Sequence, residues 1–501
     1  MVSSSSSSPS SSLTLSWSSM DQKKKQQAKK KKTREVVHQT RSTTIALCGG
    51  VGDIEDFCKE DTLEIRSSLL CWYDQNQRVF PWRKQTTEIE SCNDDEEDES
   101  CNRAYAVWVS EVMLQQTRVA TVIDYYNRWM EKWPTIHHLA QASQEEVNQM
   151  WAGLGYYRRA RFLLEGAKMI VEKGGEFPQT VSTLRKIKGI GDYTAGAIAS
   201  IAFDEAVPVV DGNVIRVIAR LKAISANPKE STTIKIFWKL AGQLVDACRP
   251  GDFNQALMEL GATICSPTSP GCSICPVAGQ CRALQLCQSH KLESVTDYPA
   301  KVVKLKQRLD FWAVCVVEIL EHNNVDIQKE SNEKNKFLFV KRPNEGLLAG
   351  LWEFPSVSLK GEANLATRRQ MMDKYLKNFF KLNTDECTIV SREDIGECVH
   401  IFTHIRLKMF VELIVLHQKG GARVFHAKKE DISAWKYVDG DSIDSMGLTS
   451  GVRKVYNMIQ QCKQEQSLEN QPRRTRKRSD NTSKSFIISN HAVQLASCIL
   501  K

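Results

Sequence analysis

No run of 18 apolar residues occurs anywhere in the 501-residue sequence, which excludes a conventional membrane-spanning helix. No apolar signal-peptide core follows the start, and sixteen cysteines in a chain this long do not make a small secreted disulfide scaffold. A reducing compartment is expected. Arginine is missing from the first twenty residues, which counts against a mitochondrial leader, yet twelve of those twenty are Ser. That acid-poor start leaves an organellar address open, mitochondrial or plastid. Acids are scarce at both ends: residues 1–34 hold eight Lys/Arg against one Asp, and residues 471–484 hold six against one. Between them, residues 86–102 hold eight acids and no Lys or Arg. The formal charge of +9 is therefore uneven, and the remaining ordered regions come to about +5, modestly basic as suits a DNA binder.

Composition divides the chain. Residues 1–60 are a Ser/Lys-rich tail that cannot bury enough apolar surface to order itself. Its runs Lys23–Lys25 and Lys29–Lys32, like Arg473–Arg478 in the basic tail 461–501, read as nuclear addresses or as solvated tails. Residues 61–285 carry helical periodicity, interrupted by the acidic insertion 86–102, which is expected to be disordered. A basic connector at 286–308 leads to residues 309–460, where strand-like runs at 311–320, 336–340 and 404–416 precede a helix near 452–460.

Residues 184–217 place everything else. Gly189 and Gly191 flank Ile190 between two apolar-periodic segments, so the backbone can turn tightly and aim N–H groups at a phosphate. This is a helix-hairpin-helix signature. The irregular run 203–210 then ends in Asp211-Gly212-Asn213, a helix start with an acid beside a DNA clamp. Upstream, Glu111 interrupts the apolar positions Val107, Met113 and Leu114, and a carboxyl among such neighbours has the raised pKa of a general acid. Taken alone it reads first as a paired core Glu. Four cysteines, Cys265, Cys272, Cys275 and Cys281, have the spacing C-x6-C-x2-C-x5-C of a metal site. Spacing does not separate zinc from a [4Fe–4S] cluster, and zinc is the first reading.

Pro81-Trp82-Arg83, the run from Ser110 to Val119, and the run from Trp151 to Arg161 together resemble the MutY-type adenine DNA glycosylases of the helix-hairpin-helix superfamily, over residues 62 to 460. Helicases and polymerases do not carry this set. The resemblance implies a mainly α glycosylase domain with an iron–sulfur loop, followed by an α+β Nudix-like domain. It implies that Glu111 protonates adenine and that Asp211 stabilises the sugar cation, with Tyr193 and Asn213 in support. Arg78, Trp82, Arg83, Leu114, Val119 and Glu259 would line the pocket of the extruded base. Gln116 and Tyr156 would wedge into the duplex, and Thr117 and Leu154 would lie near the opposite base. The four cysteines would hold a [4Fe–4S] cluster.

A bifunctional relative, endonuclease III, carries a Lys at the place of Tyr193, and Tyr forms no imine, so a monofunctional enzyme that leaves an abasic site is expected. Gly346 to Pro355 resembles the Nudix-like domain of the same enzymes, but residues 356–375 hold only Glu362 and Asp373 as acids, too few for the Mg²⁺-binding helix of a hydrolase. Phe402-Thr403-His404 matches a Phe-Ser-His loop that reads 8-oxoguanine in the family. The expected substrate is a duplex with adenine opposite 8-oxoguanine or guanine, the expected state a monomer, and repair or replication partners would dock through the tails or connector. A thymine-glycol-type glycosylase/lyase and a non-catalytic lesion sensor are the competing readings.

Overall fold

The computed structural model describes residues 56–83, 96–302, 306–320, 335–380, 387–418 and 435–469. The expected disordered tails and their basic runs, apart from a few residues, and positions 86–95 of the acidic insertion lie outside these residues.

The first half is helical: α1 (Lys59–Asn76), α2 (Glu96–Leu114), α3 (Val119–Lys132), α4 (Ile136–Gln141), α5 (Gln144–Trp151), α6 (Arg158–Glu172), α7 (Val181–Leu184), α8 (Asp192–Ala202), α9 (Gly212–Leu221), α10 (Ser231–Leu244), α11 (Pro250–Thr263) and α12 (Arg282–Gln288). In α1, Ile65, Leu69 and Tyr73 recur every fourth residue and are buried, and Cys58 Sγ caps the helix by accepting from the Asp61 N–H at 3.3 Å. Helix α8 is apolar all round and every residue from Thr194 to Ile201 is buried, so it forms the centre, packed by α2 and α11. Trp108, Trp129 and Trp151 belong to the same core at no more than 1% exposure, each contributing on the order of 3 kcal/mol by burial.

Two boundaries differ from the sequence reading. Helix α2 starts at Glu96, inside the acidic stretch, because acids at a helix start complement the partial positive charge of the free N–H groups. The last helix, α14 (Ser450–Glu469), runs past residue 460. Its extra turns are tied down by Lys463 on the buried Glu318 and by Gln466 Nε2 donating to Glu393 Oε2 at 2.7 Å.

Among the described residues the second half holds a seven-stranded mixed sheet, β1 (Arg308–Leu320), β2 (Lys336–Lys341), β3 (Trp352–Glu353), β4 (Ser356–Leu359), β5 (Cys387–Ile401), β6 (Ile405–Gln418) and β7 (Trp435–Asp439), in the order β3-β2-β1-β6-β5. Strand β1 is parallel to β6, and β4 and β7 pair with β1 and β2. Alternation along β1 decides the layers: Ala313, Cys315, Val317 and Ile319 meet Met372 and Leu376 of α13 (Leu365–Phe380). Val314 and Val316 face the other way, into a core shared with Val455 and Ile459 of α14. Both faces of the sheet are thus covered, which is why β1 reads as a nearly unbroken apolar run.

Residues 346–351, which lead into β3, pack on the helical half together with Trp352. Leu351 is 2% exposed within the helical core, with Leu348 against it, and Trp352 Nε1 donates to Glu145 Oε1 at 3.0 Å. At Gly447 a Cβ would stand 2.5 Å from the backbone N of Gln149, so only glycine lets these two backbone segments approach this closely.

Candidate active site

The hairpin before α8 turns at Gly189, whose φ is +87°, and a Cβ there would stand 2.5 Å from Phe162 Cβ. Gly191 differs from the sequence expectation. Its backbone is extended at φ −96° with nothing within 4 Å, so conformation demands glycine at Gly189 alone. Gly191 caps α8 without a side chain, which leaves the first N–H groups of the helix open to an anion.

Glu111 lies in α2 at 6% exposure. Burial pushes its carboxyl up from 4.5 to about 7, the hydrogen bond from Tyr193 pulls it down, and the charge of Asp211 adds to the rise. The Tyr193 hydroxyl donates to Glu111 Oε2. Burial holds the Tyr193 hydroxyl well above its ordinary value, with the Glu111 and Asp211 carboxylates adding to the rise, so it keeps its proton. It is a positioning donor, not a nucleophile.

Asp211 caps α9: its Oδ1 accepts from the Val214 N–H at 2.7 Å and its Oδ2 from Asn213 Nδ2 at 2.9 Å. Burial raises its pKa, and these donors, which favour the anion, offset part of that rise. The environments divide the labour: one carboxyl sits in an apolar shell with a single hydroxyl donor, the other is served by two N–H donors. Arg216 then braces the aspartate, with Nη2 donating to Asn213 Oδ1 at 2.8 Å and to Gly261 O at 2.6 Å, and Nε to Cys265 O at 2.8 Å.

The expected base pocket is assembled around Glu259, 2% exposed in α11. Burial alone would raise its pKa, but Arg78 and Arg83 outweigh it and hold the group below the usual range. Arg78 grips it with two nitrogens, Nη2 standing 3.1 Å from Oε2, and Arg83 Nη2 donates to the same oxygen at 3.0 Å. Arg83 also lies 4.9 Å above the Phe80 ring, which stacks on Trp82 at 5.1 Å, and Trp82 meets Tyr126 edge-on at 5.2 Å. Leu114 and Val119 bracket the turn between α2 and α3.

Gln116 in that turn and Tyr156 before α6 both have left-handed backbones, φ +54° and +48°, and both are exposed. Thr117 is half-buried, while Leu154 is only 6% exposed and packs in the core. The residues 402–404 form the tight turn between β5 and β6, with the Phe402 N–H donating to Ile405 O at 2.8 Å. Thr403 and His404 are exposed and Phe402 packs edge-on against His400 at 4.6 Å. The Thr403 and Tyr156 hydroxyls lie 2.6 Å apart, so the β5–β6 turn and the expected wedge are in contact.

The four cysteines fall in one loop after α11, each half-buried. Burial pushes the Cys275 and Cys281 thiols up to about 11. Arg220, 2% exposed, donates through Nη1 to Cys265 Sγ at 3.2 Å and to Ser266 O at 2.8 Å. A buried guanidinium against sulfur suits a thiolate donor set. As they stand, no three His, Cys, Asp or Glu side chains among the described residues close on one metal ion.

Sequence reasoning did not single out Arg159, Arg216, Arg220, Phe80 or Tyr126. Arg159 stands in a run with Arg158 and Arg161, which lie over the Phe162 ring; it alone turns inward, and nothing in the string distinguishes it.

Residues 109–243 match the HhH-GPD superfamily of base excision DNA repair proteins, and residues 331–458 match the NUDIX domain. An adenine DNA glycosylase of Arabidopsis thaliana is 57% identical over 428 residues, covering 81% of this chain and 66% of that protein, just under two thirds of its length. Those of Mus musculus and Homo sapiens are 45% and 43% identical, covering 72% and 74% of this chain and 72% and 69% of theirs. Such identity across both halves, joined to a buried acid held by a hydroxyl where a lyase would need an amine, establishes that the chain belongs to the adenine DNA glycosylase family.

Proposed function

We propose that this protein removes adenine mispaired with 8-oxoguanine or guanine in duplex DNA, as a monofunctional glycosylase. The observation that carries this reading is the Glu111–Tyr193 pair: a buried carboxyl with a pKa near neutrality, bonded to a hydroxyl that cannot form an imine. Adenine leaves poorly as an anion. Glu111 gives its proton to the base, the bond from C1′ to the base breaks with its electron pair going to adenine, and the cationic sugar is stabilised by Asp211 until water adds to C1′ and gives up a proton to the Glu111 carboxylate, which restores the acid. Asn213 and Arg216 hold Asp211 in place through that step. The nucleotide must first leave the stack, at a few kcal/mol, offset by the Gln116 and Tyr156 wedges and by the open N–H groups at Gly191. The extruded base then meets the Trp82 ring and the Arg78–Glu259–Arg83 group.

Discrimination has to come from the other strand, since adenine is normal in every A·T pair. 8-Oxoguanine differs from guanine by an acceptor at C8 and a donor at N7, and the exposed turn of Phe402, Thr403 and His404 offers a hydroxyl and backbone groups to read it, at roughly 1–3 kcal/mol per well-made contact. Cys265, Cys272, Cys275 and Cys281 would hold a [4Fe–4S] cluster that cross-links the loop after α11. Nuclear localisation through the basic runs, with an organellar share through the Ser-rich start, and repair partners on the tails or connector belong to the same reading. The test is excision on 8-oxoguanine:adenine and guanine:adenine duplexes, with and without alkali. Strand breaks are expected only after alkali, and Phe402→Ala with His404→Ala is expected to narrow the preference for 8-oxoguanine. Alkali-independent breaks or an unchanged preference would refute the assignment.

A further inference from the structure

Two turns separated in sequence, residues 114–118 and 153–157, project exposed residues with left-handed backbones, Gln116 and Tyr156. For residues other than glycine this conformation is costly, and it persists where surrounding structure over-determines it. One side chain bonds both turns. Arg159 Nη1 donates to Val112 O at 2.9 Å, Met113 O at 3.0 Å and Gln115 O at 2.6 Å. Its Nη2 donates to Thr117 Oγ1 at 3.3 Å, Leu154 O at 3.2 Å and Gly155 O at 3.1 Å. The Arg159 N–H donates to Tyr156 O at 2.9 Å. The guanidinium lies 5.1 Å from the Trp151 ring and 5.5 Å from the Tyr156 ring.

All of these acceptors are carbonyl or hydroxyl oxygens, and the acceptors of the first turn stand on both sides of Gln116 while those of the second immediately precede Tyr156. Arg159 is therefore a bracket, not half of an ion pair. We propose that Arg159 is the positioning residue that fixes the two duplex-entering turns as one unit, so that extrusion of the target nucleotide, not cleavage of its bond, depends on it. This rests on the reading above that Gln116 and Tyr156 enter the duplex. A planar fork of several N–H groups spans two turns at once, whereas the single ammonium of lysine serves one.

The test follows extrusion by stopped-flow fluorescence of 2-aminopurine placed beside the target adenine in an 8-oxoguanine:adenine duplex, alongside single-turnover excision across pH. Arg159→Lys, which keeps charge and bulk, is expected to slow extrusion about tenfold and to slow excision by the same factor. The falling pH limb set by Glu111 stays where it is, a result that general loosening of the acid's surroundings would not give. Arg159→Met is expected to lose more, and thermal unfolding shows whether it folds; if it does not, the lysine variant decides. An Arg159→Lys enzyme that extrudes at the wild-type rate, or that loses excision with extrusion intact, overturns the proposal. Gln116→Ala and Tyr156→Ala in the otherwise wild-type chain separate the two layers: if neither slows extrusion, the wedge reading beneath the proposal is itself wrong.

Discussion

Glu111→Gln is expected to abolish excision and, at alkaline pH, to make the protein more stable. The carboxyl has a pKa of about 7 in the folded protein against 4.5 for the ordinary group, because burial penalises its charged form. Below pH 4.5 it is protonated folded and unfolded alike, and it contributes no pH-dependent difference. Between 4.5 and 7 the unfolded chain ionises while the folded one keeps its proton, so stability falls as pH rises. Above 7 the native state carries a buried anion at a cost of about 3 kcal/mol, taking 1.36 kcal/mol per pKa unit. Glutamine is neutral throughout and its carbonyl still accepts from Tyr193. Denaturant unfolding of wild type and Glu111→Gln through this pH range should therefore show a gap in favour of the variant that is absent in acid and grows to roughly 3 kcal/mol above neutrality. The variant should still bind mismatched duplex. A gap that is flat with pH, or that favours the wild type in alkali, would refute the claim that Glu111 is held protonated by burial, and near-normal excision would refute its role as the acid.

Tyr193→Phe removes the hydrogen bond that pulls the Glu111 pKa down, so the falling limb of the pH–rate profile should move to higher pH, and a move to lower pH would contradict the assignment. Gly189→Ala places a Cβ against Phe162 at φ +87° and is expected to destabilise the hairpin by about 1–3 kcal/mol and weaken binding to undamaged duplex, measured by thermal unfolding and fluorescence anisotropy. Protein purified anaerobically should contain stoichiometric iron and absorb broadly in the visible, with Cys275→Ser losing both; stoichiometric zinc without iron would sink the cluster.

What could be read from the string was chemistry at fixed spacing. Glu111 among apolar neighbours and Asp211 at a helix start were accessible because each rests on residue type, while Arg78, Arg83 and Glu259 were placed in one pocket by family resemblance, and their ion pairing, across more than 170 residues, was visible only in the structure. The start of α2 was missed because an acidic run has two stable fates, solvated chain or the positive end of a helix, and only the tertiary contacts of Tyr105 and Trp108 choose between them. Strand β5 was missed for a related reason: its Arg392, Asp394 and Glu397 look like loop, yet Arg392 pairs with Glu412 of β6 at 2.9 Å and the edge is held by such bonds. Leu154 was placed near the opposite base by resemblance, and its burial in the core was not legible because it depends on the turn formed by its neighbours. Arg159 was invisible because its partners are backbone carbonyls, which the sequence does not name.

Leu348 and Leu351 bear on what the second half can be made to do. The stretch 346–355 resembles a Nudix loop, yet Leu351 is buried in the helical core with Leu348 packed against it, and Trp352 is tied to Glu145. Adding carboxylates along α13 would therefore not by itself create a hydrolase, because this loop is already committed to holding the two halves of the chain together, and freeing it for a phosphate would open the helical core.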